Sequence, residues 1–445
     1  MIEKMMLWLM DSSMDAAMKN MLTSKYEENP FLMTTIATKL TPKAIMEAGM
    51  RAQTGKELKR PIGSPNVLSP WEKVLLNPRQ LFELPTKSKK EVQTKTVIGP
   101  NAKKPLRLET PIMLTGMSYG GSLSLAMKTA IAKGTSMAGT STNTGESGLT
   151  NEERDNANLL IGQYNRAMRM KEEDLKHLDA IEIQLGQGAW GGAAEITTKA
   201  KDIGDHLRET WALKEGEDST IQPRFPNVES SQDIINLINR LKAENDVPVG
   251  AKIAGSDFVE YDLEILAQTN VDYIVIDGSE GGTAGAPPTF EDDIGLPTLH
   301  ALVRAVDWLK EHNLKDKIQI IASGGLTTPG HFLKALAIGA DAVYIGSIAL
   351  MAILQSQMTK ALPKMPPPQL ALYSGKLKDE FDVEEGARDL ANFLKSCTEE
   401  MKGALQVMGK KQLNELSRED LVTMDKDLAE FMDIRYGASH RKRTK

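Results

Sequence analysis

The chain has 445 residues, enough for one large barrel of roughly 250 residues with substantial flanking segments, so one catalytic domain with additions at both ends is expected rather than two unrelated domains. Its 41% apolar and 26% charged composition is ordinary for a globular protein, and a formal net charge of -6 excludes the basic footprint of a nucleic-acid binder. One cysteine, Cys397, permits neither an intrachain disulfide nor an iron–sulfur cluster, and the six histidines show no HxxxH or HExxH spacing, so no metal site is expected.

The start, MIEKMMLWLMDSS, holds an apolar run only from Met5 to Met10, far short of the roughly 18 residues that span a bilayer, and it makes a poor signal peptide. A cytoplasmic protein is expected. A helix capping the barrel is the favoured reading of this segment; contact with a membrane surface or a subunit interface stays open. Residues 1–105 read as a helical then irregular extension, with Pro61, Pro65, Pro70, Pro78 and Pro85 breaking any long period.

From Pro111 short β-rich apolar runs alternate with amphipathic helices, the pattern of parallel strands joined by helical crossovers. Eight runs qualify: 112–116, 137–143, 159–163, 181–186, 248–253, 273–278, 318–323 and 342–346. Eight strands close a barrel, so the fold class is an α/β (β/α)8 barrel over 106–360, with an insertion at 188–245. Leu299, Leu302, Val303, Val306 and Leu309 form one apolar helical stripe, and Phe332, Leu333, Leu336 and Ala337 another. The proline-rich KALPKMPPPQLALYSG opens the final section, 361–445, as an ordered arm; a docked helical pair follows over about 383–433. There the stripe Leu390, Phe393, Leu394, Cys397, Met401, Leu405, Met408 makes Cys397 a core residue rather than a nucleophile. The basic tail HRKRTK reads as a solvated end.

In such a barrel the active site lies at the C-terminal strand ends, and a phosphate site commonly follows strands seven and eight. Strand seven ends in Ser323-Gly324-Gly325 and strand eight in Gly346-Ser347, each before a helix whose free amides suit a phosphate dianion. Strand one ends in TGMSYGG, where Gly116, Met117 and Ser118 leave room for a flat ring against the backbone. Lys252 interrupts a buried apolar strand and needs an anionic partner: either the electron-rich edge of a reduced flavin or a carboxylate inside the barrel. Strand two leads into Asn143-Thr-Gly-Glu146, placing an amide and a carboxylate at the mouth, where Glu146 is a proton donor or acceptor or a helix cap. Gln184 and Gln187 offer neutral hydrogen-bonding groups, and the loop SEGGTAGAP, with Gly281 and Gly282, contacts a ligand or acts as a lid.

In this order GMSYGG, NTGESG, IQLGQGA, GAKI, DGSEGGTAGAP, SGGL and YIGS resemble the FMN-binding synthase domain of the glutamate synthase family, over about 85–350. The resemblance implies FMN as cofactor, contacted by Gly116, Met117, Ser118, Asn143, Gln187, Lys252, Gly281 and Gly282, with Ser323, Gly324, Gly325, Gly346 and Ser347 about its phosphate and Glu146 as the active-site glutamate. It also implies reduction of an imine of a 2-oxo acid by hydride from reduced FMN. Three departures stand out. The stretch after strand eight, ALMAILQSQMTKALPKMPPPQL, has no cluster-binding cysteines; no glutamine amidotransferase domain with its terminal cysteine precedes the barrel; and Gln184 and Trp190 occupy the two positions where the family has lysines, which bears on the substrate.

The expected function is therefore an FMN-dependent oxidoreductase that makes glutamate or a related amino acid from a 2-oxo acid or imine. Its electron donor, NAD(P)H, ferredoxin or a partner subunit, is left open, as is assembly into a homo-oligomer. The alternatives are a flavin-binding subunit or sensor without independent turnover and, lower, a hydroxy-acid-oxidase-like flavoenzyme. The last needs a histidine–arginine pair at the strand ends, where neither His300 nor His331 falls.

Overall fold

The computed structural model describes residues 2–29 and 31–440, so residues 441–445 of the basic tail lie outside it. The chain forms two units, Met1–Lys59 and Arg60–Lys445. The first holds three helices, α1 (Ile2–Thr23), α2 (Phe31–Leu40) and α3 (Pro42–Thr54). None of its described side chains is buried, and Met6, Met10, Met14, Met18 and Leu22, spaced by four along α1, are all exposed. Among the described residues no helix is long and apolar enough to cross a membrane.

The second unit is built on an eight-stranded parallel sheet: β1 (Ile112–Leu114), β2 (Thr142–Asn143), β3 (Leu160–Tyr164), β4 (Ala180–Gln184), β5 (Val249–Ala254), β6 (Tyr273–Asp277), β7 (Gln319–Ser323) and β8 (Ala342–Ile345). Neighbours follow chain order, and β8 returns to β1 through the register Val343↔Ile112, Tyr344↔Met113, Ile345↔Leu114. The remaining seam, between β1 and β2, is bridged by Leu114 N donating to Ser141 O at 3.1 Å. The result is the (β/α)8 barrel that the eight runs predicted.

The second predicted run needs correction. Residues 137–139 are not strand: Met137 and Ala138 finish helix α4 (Leu125–Ala138), and Gly139 caps it at φ 70. A left-handed residue after the last helical turn satisfies the orphan carbonyls, and glycine takes that conformation without steric cost, so only Thr142 and Asn143 are left to pair with β3.

Period-2 alternation sorts each strand's side chains. Met113, Ile161, Ala180, Tyr273, Val275, Ile321, Ala342 and Tyr344 point inward and pack with Ile98, Leu106 and Leu108 of an antiparallel hairpin (Thr96–Ile98 with Leu106–Leu108). That hairpin plugs the N-terminal end of the barrel. Gln319 at the start of β7 holds it, accepting from Gly99 N at 2.8 Å and donating to Val97 O at 2.9 Å. Ile181, Ile183, Val249, Ala251, Ile274, Ile276 and Ile320 point outward beneath the helices. With both faces covered, the strands read as the near-continuous apolar runs seen in the sequence.

Both predicted helical stripes are buried, on α8 (Thr298–Glu311) and α9 (Pro329–Ile338). Thr328 caps α9 through its hydroxyl, with Pro329 at the first turn and Gly339 at the end. The insertion between β4 and β5 contains a hairpin (Ile196–Thr198 with Ser219–Ile221), a short helix (Asp205–Thr210) and α6 (Ser231–Glu244), before α7 (Val259–Leu266) follows β5. After α10 (Ser347–Leu354) come a 3-10 helix, Gln355–Ala361, and, within the proline-rich arm, a short helix, Pro366–Leu370.

The C-terminal region departs from a helical pair. It is one long helix, α11 (Val383–Val407), packed along α4, then a strand, Leu421–Thr423, antiparallel to Val74–Leu76, and a short helix, Lys426–Met432. The close α4–α11 approach depends on Gly134, where a Cβ would stand 2.8 Å from Ala387 O. Cys397 on α11 is buried in the core, its thiol pushed up to about 11 by burial. Leu302 on α8 is fully buried in the outer core. Replacing it with alanine is expected to cost about 2–5 kcal/mol, read as a fall in the urea unfolding midpoint of the purified protein.

Candidate functional site

Going up the barrel, the inward positions change from apolar to polar. Above the floor of Ile161, Ala180 and Tyr273 stands Glu182, fully buried on β4. Its carboxylate accepts from Gln163 Nε2 at 2.7 Å, Asn143 Nδ2 at 3.1 Å and Tyr344 Oη at 2.8 Å. A buried charge is tolerable where hydrogen bonds surround it, and these three donors come from three other strands. Burial, and then the charge of Glu182, push the Tyr344 phenol well up, keeping it a donor. This layer supports the next: a Cβ on Gly116 would meet Gln163 Nε2 at 2.8 Å and Asn143 Oδ1 at 3.0 Å, so only glycine lets the turn after β1 rest on these amides.

The top layer holds Lys252 on β5 and Asp277 on β6. Lys252 Nζ lies 3.3 Å from Asp277 Oδ2 and 3.4 Å from Thr115 Oγ1, with both charged side chains nearly inaccessible to solvent. The carboxylate partner anticipated for Lys252 is thus Asp277. Asp277 also accepts from Ser323 Oγ at 2.5 Å and from Gly188 N at 3.1 Å, linking the ends of β5, β6 and β7 to the turn after β4.

These groups open into a cavity of about 390 Å³ at the C-terminal mouth. Of the predicted ligand-contacting residues, it brings together Gly116, Met117, Gln187, Lys252, Gly281, Gly282, Ser323, Gly324, Gly325, Gly346 and Ser347. Gly324 adopts φ +108, and a Cβ there would meet Thr298 Oγ1 at 2.6 Å and Gly278 N at 2.9 Å, so the turn after β7 presents bare backbone. The loop after β6 is pinned at both ends of its length: Glu280 accepts from Thr298 N (2.7 Å) and Oγ1 (2.8 Å) at the start of α8, and Ala286 exchanges backbone hydrogen bonds with Arg60.

Five predicted residues fall outside the cavity lining. Asn143 and Ser118 lie behind it, Asn143 in the Glu182 layer and Ser118 with its carbonyl accepting from Ser122 and Leu123 amides. Gln184 is fully buried, its Nε2 3.3 Å from Gln187 Oε1, while its own Oε1 has no partner. Trp190 ends a short 3-10 turn, Gly188–Trp190, on the loop above β4. Glu146 is no helix cap, since Thr150 caps the following helix α5 (Asn151–Asn156); its Oε1 instead faces Arg166 Nη2 at 3.3 Å.

Sequence reasoning missed Thr115, Asp277, Tyr344 and Glu280, and it missed the segment Pro61–Glu72, which forms one wall of the cavity with Pro367, Pro368, Ala371 and Leu372 of the proline-rich arm. His331 of α9 lines this wall too; it stacks on Trp71 (5.9 Å between centroids), lies 3.2 Å from Glu72 and is held toward the neutral form by burial.

A parallel eight-stranded barrel with a glycine-rimmed cavity over its last two strands belongs to the class that places its chemistry at the strand C-termini. Solved structures of this shape include a mutant flavocytochrome b2 with benzoylformate, at TM-score 0.53 and 15% identity, covering 86% of this chain and 84% of that one, a likeness of fold alone. Residues 69–411 match the conserved region of glutamate synthase, and the chain belongs to that family. Its relatives include a glutamate synthase large subunit-like protein of Rhizobium meliloti, 32% identical over 78% of this chain and 82% of the other. An archaeal glutamate synthase [NADPH] of Methanocaldococcus jannaschii is 34% identical over 74% of this chain but 64% of its own, so the present chain spans less than two thirds of that relative.

Two outcomes test this architecture. Glu182→Leu strands the Asn143 and Gln163 amides and the Tyr344 hydroxyl without their acceptor, and a loss of about 3 kcal/mol or more in unfolding free energy is expected, whereas Glu182→Gln keeps part of it. Gly324→Val, forced to φ +108 against Thr298, is expected to close the turn after β7 and lower binding of any phosphate-bearing ligand by at least about tenfold in equilibrium dialysis.

Proposed function

We propose that this chain is an FMN-dependent oxidoreductase that converts a 2-oxo acid or its imine to the amino acid, glutamate or a relative of it. The observation that carries the reading is the cavity itself: the bare backbone turns of Ser323–Gly325 and Gly346–Ser347 stand with Lys252 and the Thr115–Met117 turn around one space. The fit to FMN is specific in kind. Gly324 and Gly346 present their amides where a Cβ would meet Thr298 or, at 3.0 Å, Thr115, as close approach to a phosphate requires. Lys252, restrained by Asp277 and Thr115, offers a cation for the electron-rich edge of the ring. When bound, FMN supplies hydride chemistry. Gln187 lines the same space and can hydrogen-bond ring or substrate.

Glu146 is the proposed proton-transfer group. It follows Gly145, which packs so tightly on the strand-one turn that a Cβ would meet Ser118 N at 2.5 Å. Gln184 and Trp190, in place of the family's lysines, supply no charge for a second carboxylate, which favours a substrate less anionic than 2-oxoglutarate. The kinship to an archaeal glutamate synthase [NADPH] supports NADPH as electron donor; ferredoxin and a partner subunit are the other donors of suitable chemistry.

A second reading, a flavin-binding subunit without turnover of its own, is favoured by one observation: Glu146 faces Arg166 and is not among the cavity-lining residues. Absorption bands at about 370 and 450 nm, with FMN released on denaturation, are expected of the purified protein; a colourless protein that takes up no added FMN overturns both readings. Reduction of the bound flavin by NADPH, with reoxidation by a 2-oxo acid plus ammonia, supports the enzyme. Glu146→Gln is then expected to lower kcat by at least about a hundredfold with FMN content unchanged.

A further inference from the structure

A second cavity, of about 500 Å³, lies on the far side of the wall that carries Lys252 and Gln187. Strand alternation turns Lys252 inward and Ile253 outward, and Ile253 with Leu185, Phe225, Val228 and Ile265 gives this second space apolar walls. The two cavities share backbone. Leu185 N and Gly186 N both donate to Lys252 O, at 2.9 and 3.2 Å, and Gly192, in the second cavity's lining, pairs with Gln187 of the first.

Arg166 also lines this cavity, and its guanidinium is buried and poorly served. Of its five N–H donors, Nη2 has Glu146 Oε1 at 3.3 Å and Nη1 has Pro223 O at 3.4 Å, both long beside the roughly 2.7–2.9 Å of a charge-assisted bond, and Nε has no partner. Arg169, a second buried guanidinium nearby, donates to the main-chain carbonyl of Glu146 at 2.7 Å and to Ser219 Oγ at 2.6 Å while lying 3.4 Å over the Trp211 ring; burial lowers its pKa to about 10. Arg166 is thus a buried cation whose one carboxylate partner is met only at 3.3 Å. A buried charge left short of partners is costly, and an arriving anion offsets that cost.

We propose that this cavity binds a small monocarboxylate with an apolar body, its carboxylate on Arg166 and its hydrocarbon against Ile253, Phe225 and Ile265. A single carboxylate is what the charges allow. Arg224, the other arginine of the lining, is ion-paired with Glu229 at 3.2 Å, and Asp262 on α7 repels a second anionic group when ionised, although burial pushes its carboxyl up. Because the site is separate from the flavin cavity, the proposal stands whether or not the chain turns over a substrate.

The test is isothermal titration of the protein as purified with 4-methyl-2-oxopentanoate, with the uncharged 4-methyl-2-pentanone and with 2-oxoglutarate. The monocarboxylate is expected to bind with a Kd of about 1 mM or tighter, and the ketone and the dicarboxylate at least about tenfold more weakly. Ile265→Trp, which fills the cavity and leaves the arginine in place, is expected to abolish binding, and Arg166→Met to weaken it at least about tenfold. Binding that survives Ile265→Trp, equal binding of acid and ketone, or no heat with the acid at about 20 mM each overturns the proposal. Should Arg166→Met fail to fold, Ile265→Trp and the ketone still decide it.

Discussion

The pairing of Lys252 with Asp277 is the constraint around which the mouth of the barrel is arranged. Two charges this far from water are tolerable only when their remaining hydrogen-bonding capacity is met, and Asp277 meets its own by taking Ser323 Oγ and Gly188 N as well. A single carboxylate thus gathers the ends of neighbouring strands and the turn above a fourth. The cation it restrains is left with long contacts, at 3.3 and 3.4 Å, so its capacity is only partly spent inside the protein.

Beneath it, Glu182 organises a second tier by a different means. Among the described residues no lysine or arginine hydrogen-bonds to it; amides and a phenol from β2, β3 and β8 converge on it instead. The tier has a steric role as well as an electrostatic one, because Gly116 rests directly on Asn143 and Gln163. The turn that faces the ligand space is therefore shaped from below by side chains that never reach that space.

Much of this was legible in the sequence, and what was hidden had physical reasons. Eight parallel strands buried on both faces produced eight apolar runs, and the glycine turns after the last two were visible as Ser323–Gly325 and Gly346–Ser347. The second run misled because Met137, Ala138 and Gly139 have the texture of a strand while completing a helix and its cap. Lys252 was noticed because it breaks an apolar run; Glu182 and Asp277 break theirs in the same way, and counting in twos along β4 and β6 places both inside the barrel. The wall from Pro61 to Glu72 offered no such signal, since proline-rich chain carries no period and its place is fixed by distant partners such as Thr283, whose carbonyl accepts from Ile62 N. Glu146 was found by motif, but its partner Arg166, twenty residues on, had no pattern to announce it.

The seam between β1 and β8 has a consequence in time. Ile112 pairs with Val343, and the cavity's outer wall comes from Pro367 to Leu372, so the first strand emerges from the ribosome long before its partner exists. At roughly 5–20 residues per second, the gap amounts to ten seconds or more during which the early strands have an unpaired edge and no finished mouth. The cavity rimmed by the turns after β7 and β8 has no complete rim until Ser347 has been made. The mouth is thus completed late in synthesis, and until then the nascent chain must stay out of aggregation with its early strands short of partners.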